Sequence, residues 1–566
     1  MKSVSSVTAV GLVVLFTACA PPPSEQGDSS IATEIALGPD ADAAAAIVTA
    51  ESLRGPIAEL ASDSYAGRGP GSDADSMTQR YLIERMEALG LEPAGAGGSW
   101  LQPFDMVSID VTAPATWRFE HGGTALELSW WNEFIASSGV QKPVAEIADA
   151  ELIFVGHGIE APEYGWDDFK NVDVSGKVVV VMNNDPDWDP ALFEGVTRLY
   201  YGRWDYKYEK AAEMGAVGAI IIHTTPSAGY PFQVVQTSWT GPQFEIPSTG
   251  EPRLQIAAWT TEDAMRKLFE LAGHDLDAAR EAAKSRDFTP LPLGITTSLR
   301  LTNELEQVET ANVLGVLNGS DSSVSDEYVV YTAHHDHLGV GKPNDAGDDI
   351  YNGALDNASG VSQVLAIAEA FTVLPEPPRR SILFAFVAAE EQGLLGSEYF
   401  AQHPTVAPGK MAANINYDGA NIWGKTTDVT YIGYGKSSLD AVVDAFAAEQ
   451  GRIVKPDQFP DRGYFYRSDQ FNLAKIGVPA IYLDTGTDFV GRPAGWGKEQ
   501  IDLWTETHYH QPSDELIADW NFDGIVDDVV LGFKCGYWVA QADAMPMWNA
   551  GDEFEAARVA ALGAAL

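Results

Sequence analysis

At 566 residues, with 45% hydrophobic and 10% aromatic side chains, the chain is too long for one core and too apolar for a disordered polymer, and implies two or three domains. Its 81 acidic residues against 35 basic ones give a formal net charge of −46, which rules against nucleic acid and anionic membrane surfaces as partners. The two cysteines, Cys19 and Cys535, exclude a disulfide framework, and Cys535, alone in an apolar stretch, reads as a small buried hydrophobe.

The N-terminus (1–19) reads as an export signal, with Lys2 as a thin positive region and Val7 to Phe16 as an apolar stretch too short to stop in a bilayer. Phe16-Thr17-Ala18-Cys19 resembles a bacterial lipobox with Phe where Leu is usual. Processing there makes Cys19 a lipidated terminus, the only membrane attachment expected. The Pro-, Ser-, Gly- and Asp-rich run over 20–42 then becomes a flexible tether. Cleavage near Ala18 and free secretion is the alternative, so the expected location is the periplasm or cell envelope, or the medium.

Ala43 to Leu60 reads as a helix, Ala66-Gly67-Arg68-Gly69-Pro70-Gly71 as a loop, and Asp75 to Leu89 as a second helix stopped by Gly90. Phe104 to Val111 and Thr116 to Leu128 read as strands. Over 141–288 the texture changes. Short apolar strands at Leu152–Gly156, Lys177–Val181 and Ala219–Ile222 flank a helix at Tyr208–Met214, and no chemical constellation appears. The Gly158–Asp168 run and the paired strand–helix units resemble a mostly-β protease-associated domain inserted into a peptidase, with His157 and His223 in structural roles. Such an insert leaves and returns at nearby points of its host, so 43–140 and 289–566 form one discontinuous domain. From about residue 298 strands and helices alternate: Val329–Ala333, Gly360–Phe371, Ile382–Val387, Leu394–Phe400, Ala413–Tyr417, Ser438–Gln450, Phe471–Lys475 and Ala480–Leu483. This is the pattern of an α/β/α three-layer domain with a mainly parallel sheet, whose sites lie at the strand carboxyl ends.

The chemistry-bearing residues sit at those ends. His334 follows an apolar strand, and Asp336 is placed to accept the imidazole's second N–H. Asp356-Asn357 opens a helix; its carboxylate reads either as an N-terminal cap or as a bridge between two ions. Glu390-Glu391 follow eight residues without a charged side chain, so something must offset their desolvation; metal ions do, leaving one acid as ligand and the other as base. Asp418 ends another apolar strand. His508 and His510 compete for the last ligand position, and spacing does not choose between them. No His-Glu-x-x-His helix and no Gly-x-Ser-x-Gly elbow is present.

In order, His-x-Asp, Asp-Asn-x-Ser-Gly, Glu-Glu-x-Gly-x-x-Gly-Ser, Asn-x-Asp and a late Tyr-His resemble the dizinc exopeptidases, the bacterial leucyl-type aminopeptidases and glutamate carboxypeptidase among them. The resemblance implies two Zn2+ ions as cofactors, one held by His334, Asp356 and Asp418, the other by Asp356, Glu391 and His510. It implies Glu390 as general base, Asp336 as the residue that orients His334, and Tyr509 as donor to the oxyanion, with Tyr464 and Tyr466 as rivals. It also implies a cis bond at Asp356–Asn357. Ser468-Asp469-Gln470 departs from the family's Ser-Asp-His, a change that bears on the substrate pocket rather than the ligands. The expected substrate is a peptide and the expected reaction removal of its N-terminal residue. A carboxypeptidase or dipeptidase on the same scaffold is the nearest alternative, kept open by Arg467. A metal-free receptor and a one-zinc glutaminyl cyclase are more distant.

Overall fold

The computed structural model describes residues 35–565; the export signal, Cys19 and the tether up to residue 34 lie outside them. Within one continuous sheet, the part that carries the site has the strand order 101–112, 302–317, 381–387, 328–334, 411–416, 480–484, 428–432, 453–456. The central strands Ser381–Val387, Tyr328–His334, Met411–Asn416 and Ala480–Asp484 run parallel. All residues of the first and third of these are buried, as a sheet covered on both faces requires. On one face the helices Ala50–Leu60, Ser359–Thr372 and Asp523–Gln541 close the largest core around Leu53, Phe371, Tyr331, Phe384 and Phe533, with Cys535 fully buried. The helices Leu395–Gln402 and Gln470–Lys475 carry residues into cores on the other face.

Two expectations change at the N-terminal side. Pro39–Ala45 is already helical, with Ala44 and Ala45 in the main core, so no flexible tether reaches residue 42. The single helix expected over 43–60 is two, because Thr49 adopts an extended backbone and its side chain accepts from Ser52 N, capping a fresh start at Ala50.

A strand of 27 residues, Leu291–Leu317, crosses the whole molecule. Its first part pairs with Val144–Phe154, its middle with Leu101–Thr112, and its end with Ser381–Val387. Around its first part lies a second core. Parallel strands Val178–Met182, Gly218–His223 and Ile256–Thr261 stack against the helix Glu262–Leu271, and the hairpin 116–129 joins them. This core draws in Trp117, Phe119, Leu128 and Phe134 before residue 141, and Leu293 to Leu301 after 288, so the packing unit is wider than 141–288. Helices Trp204–Glu213 and Glu262–Leu271 make it α/β in texture rather than mostly β. Leu192, Phe193, Leu199 and Tyr206 from this half share a core with Phe465, Tyr466, Phe471 and Trp548 of the other, so the two halves meet through apolar packing.

Candidate metal centre

Three strands of the main sheet deliver side chains to the same spot. His334 is the last residue of its strand, Glu390 and Glu391 follow Val387 by three and four residues, and Asp418 follows Asn416 by two. Asp356 lies in an irregular turn before the helix Ser359–Thr372, and its peptide bond to Asn357 is cis. Asn357 fixes that turn: its Nδ2 donates to Tyr417 O, and its Oδ1 accepts from Gly360 N and Gly419 N. A Cβ on Gly360 would come within 2.2 Å of Asn357 Oδ1, so only glycine lets the helix start that close. Asp514 completes the clamp by accepting the N–H groups of Leu355 and Asp356, one on each carboxylate oxygen, at 2.9 and 3.0 Å.

Asp356 stands between two histidines. Its Oδ1 is 3.3 Å from His334 Nε2 and its Oδ2 is 3.3 Å from His510 Nε2. Asp418 Oδ1 lies 3.3 Å from His334 Nε2, and Glu391 Oε2 lies 3.0 Å from His510 Nε2. His334, Asp356 and Asp418 lie close enough to hold one metal ion, and Asp356, Glu391 and His510 form a second triad that shares the Asp356 carboxylate. Glu390 lies between the triads: its Oε2 is 3.9 Å from His334 Nε2, and its carboxylate lies within 4.8 Å of ligand atoms of both His334 and Glu391.

The electrostatics describe a site built for cations. Burial lowers the proton affinity of His510, yet Glu391 and Asp356 outweigh it and carry its pKa up to about 10. Burial opposes protonation of His334 too, and Glu390, Asp336, Asp356 and Asp418 raise it well above the ordinary value. Glu390 is pushed far above the usual carboxylate range by burial, with Asp418 and Glu391 adding to it. His510 Nε2 is buried with no hydrogen-bond partner although carboxylate oxygens face it. Imidazole and carboxylate donors at this spacing suit zinc, so the residues present fit a pair of such ions.

Asp336 acts differently from expectation. Its carboxylate is 3.7 Å from His334 Nδ1, and that nitrogen instead faces the Asp336 backbone carbonyl at 3.3 Å. The carboxylate accepts the N–H groups of Glu390 at 3.0 Å and Glu391 at 3.3 Å, so it holds the two acids rather than the imidazole. His508 is excluded from the centre: its Nδ1 bonds Thr507 Oγ1 on the exposed side. Tyr509 lines the cavity beside Asp356 and Glu390, and its phenol oxygen accepts from Arg467 Nη2 at 2.9 Å. Of its rivals, Tyr464 lines the same cavity, whereas Tyr466 turns its hydroxyl to Glu553. Gln470 is engaged away from the cavity, accepting from Asn416 and donating to Phe465 O.

Two contributors went unread in the sequence. His337 Nδ1 lies 2.5 Å from Glu391 Oε1, and its Nε2 is buried without a partner; its place in the His334–His337 run was the available signal. Arg68 is fully buried, and its guanidinium donates to the carbonyls of Leu60, His335, Asn352 and Gly353, tying the loops that carry His334 and Asp356 together.

Residues 312–533 match the model of Peptidase family M28. That segment is a family M28 peptidase domain. Over 168 residues the chain is 30% identical to aminopeptidase NAALADL1 of Mus musculus, covering 27% of this chain and 21% of that protein. Over 111 residues it is 36% identical to a probable zinc metalloprotease of Pyrenophora teres f. teres (strain 0-1), covering 20% and 23%. The chain spans about a fifth of the length of these curated relatives. An aminopeptidase from Aneurinibacillus sp. strain AM-1 shares the fold, with a TM-score of 0.53 at 17% identity over 89% of this chain and 97% of that one. The M28 segment holds His334, Asp356, Glu391, Asp418 and His510, all of the acids and imidazoles in the two triads, and Glu390 beside them.

Proposed function

We propose that the chain is an exported, zinc-dependent aminopeptidase that removes N-terminal residues from peptides. The observation that carries this reading is the position of Asp356, with one carboxylate oxygen toward His334 and the other toward His510. His334, Asp356 and Asp418 would hold one zinc ion, and Asp356, Glu391 and His510 the other. Bound there, the ions would acidify a water and polarise the scissile carbonyl. Glu390 takes the proton of the attacking water at its carboxylate and returns it to the leaving amine. Asp336 keeps Glu390 in place through its N–H. Tyr509 donates its hydroxyl to the oxyanion, held in direction by Arg467, and burial keeps that phenol protonated. The acids left around the cavity favour approach of a substrate ammonium group. Export rests on the leader sequence, and Cys19 is the proposed lipid attachment point.

The carboxypeptidase or dipeptidase reading keeps one observation in its favour: the Arg467 guanidinium lines the same cavity and suits a substrate carboxylate. Aminoacyl-anilides and N-blocked peptides, assayed with and without chelator, separate the two. Chelator-sensitive cleavage restricted to free-amine substrates supports the aminopeptidase. Release of residues from the carboxyl end of blocked peptides replaces it with the carboxypeptidase.

A further inference from the structure

The metal centre is not built by the M28 segment alone. The short helix Phe232–Ser238 of the inserted half lies against Tyr509-His510-Gln511. Gln233 Nε2 donates to Gln511 Oε1 at 2.7 Å, and the ring of Tyr230 lies 6.4 Å from that of Tyr509. At the end of this helix, Ser238 Oγ is 2.6 Å from His510 Nδ1. The opposite ring nitrogen, Nε2, is the one that faces Asp356 and Glu391.

Ring chemistry fixes what this contact does. A neutral imidazole has one N–H and one lone pair. If Nε2 gives its lone pair to a metal, Nδ1 must carry the hydrogen, and that N–H needs an acceptor. Ser238 Oγ is the only side-chain partner of Nδ1 among the described residues. His510 also has a left-handed backbone, φ 55°, which is uncommon outside glycine but open to histidine. We infer that Ser238 is a positioning residue of the metal centre: supplied by the inserted half, it accepts the Nδ1–H of His510 and so selects the tautomer and ring direction that turn Nε2 toward the metal. The inference rests on the dizinc reading of the site, and it gives the insert a role in metal affinity.

The test is zinc binding to the full chain, by calorimetry and by competition with a chromogenic chelator, without any peptide. Ser238→Ala is expected to weaken one of two zinc sites by about 10- to 100-fold and leave the other unchanged. Ser238→Thr keeps the hydroxyl and is expected to restore binding to within about threefold of the parent, on the same scale. Gln233→Ala removes a docking contact that touches no ligand, and is expected to lower thermal stability at most, with both affinities unchanged. Ser238→Ala with two sites of parental affinity overturns the positioning role while the dizinc reading stands, as does a Gln233→Ala loss equal to that of Ser238→Ala. A parent chain that binds no zinc overturns the dizinc reading and the inference with it.

Discussion

Histidines are buried in both halves of the molecule, and their proton affinities move in opposite directions. In the half around residues 116–302, burial drives the pKa of His157 down to about 3, helped by Lys207, and burial drives that of His223 down to about 4. In the M28 half, His510 is carried up to about 10 and His334 well above its ordinary value, because surrounding carboxylates overcome the same burial. The half around residues 116–302 also buries two acids, Asp168 and Asp185, whose carboxyls burial pushes up to about 6, and near them the Lys207 amine, which burial lowers to about 7 against the pull of both carboxylates and which donates to His157 O and Asn184 O. The metal centre gathers Asp356, Glu390, Glu391 and Asp418 with, among the described residues, no lysine or arginine paired to any of them within 4 Å. The first region sets its buried acids near a basic side chain of the fold, and the second sets its acids around two imidazoles.

The largest effect expected from breaking that contrast is catalytic. Glu390→Gln should lower kcat by about 10²- to 10⁴-fold, the usual worth of a general base, while zinc stoichiometry measured by metal analysis stays at the parental value. Next, Lys207→Met should leave the buried carbonyls of His157 and Asn184 without their donor, at a cost of roughly 3 kcal/mol, seen as a lower urea midpoint. Arg68→Met, which leaves four buried carbonyls short of a donor, should cost roughly 3 kcal/mol and loosen the His334 and Asp356 loops together in hydrogen exchange.

The pH response of the metal-free chain sharpens the comparison by sign. His510 has a folded pKa raised to about 10, so its stabilising contribution is complete below the unfolded value of about 6.5 and is lost as pH rises through 10. His157 is depressed to about 3, so its contribution is present above about 6.5 and is lost as pH falls toward 3. Hydrogen exchange should therefore show the segment near 510 opening on alkalinisation and the segment near 157 opening on acidification. Identical profiles would sink the contrast. The smallest effect belongs to exposed charge: Arg118→Ala removes an ion pair with Glu120 in which both side chains are more than half exposed, and should leave the urea midpoint unchanged.

Much of the catalytic half was legible because its strands are fully buried and hence continuously apolar, as at Ile382–Val387, and each is followed at once by the acid or imidazole it delivers. Pairwise geometry was less legible. Asp336 was expected to orient His334, but its carboxylate is taken up by two backbone N–H groups that no side-chain pattern reports. The long strand 291–317 was missed although its buried residues alternate through Leu293, Ile295, Thr297, Leu299 and Leu301. Pro292 and Gly294 read as punctuation, and exposed Thr, Glu and Arg residues between the apolar ones lowered the apparent hydrophobicity. Ser238 carries no motif at all, and its partner lies 272 residues away; proximity of that kind is a product of the fold.

The helix Asp73–Ala88 sets a condition on synthesis. Its Asp75 accepts from Thr310 Oγ1, 235 residues further on, and faces His335, 260 residues further on. The strand 101–112 likewise waits for its partner in 302–313. At roughly 5–20 residues per second on the ribosome, the first hundred described residues stay without their sheet for about 10–50 seconds while the inserted half emerges. That half meets most of its own pairing partners within 116–302, so it is able to fold first and serve as the template on which the earlier segment closes.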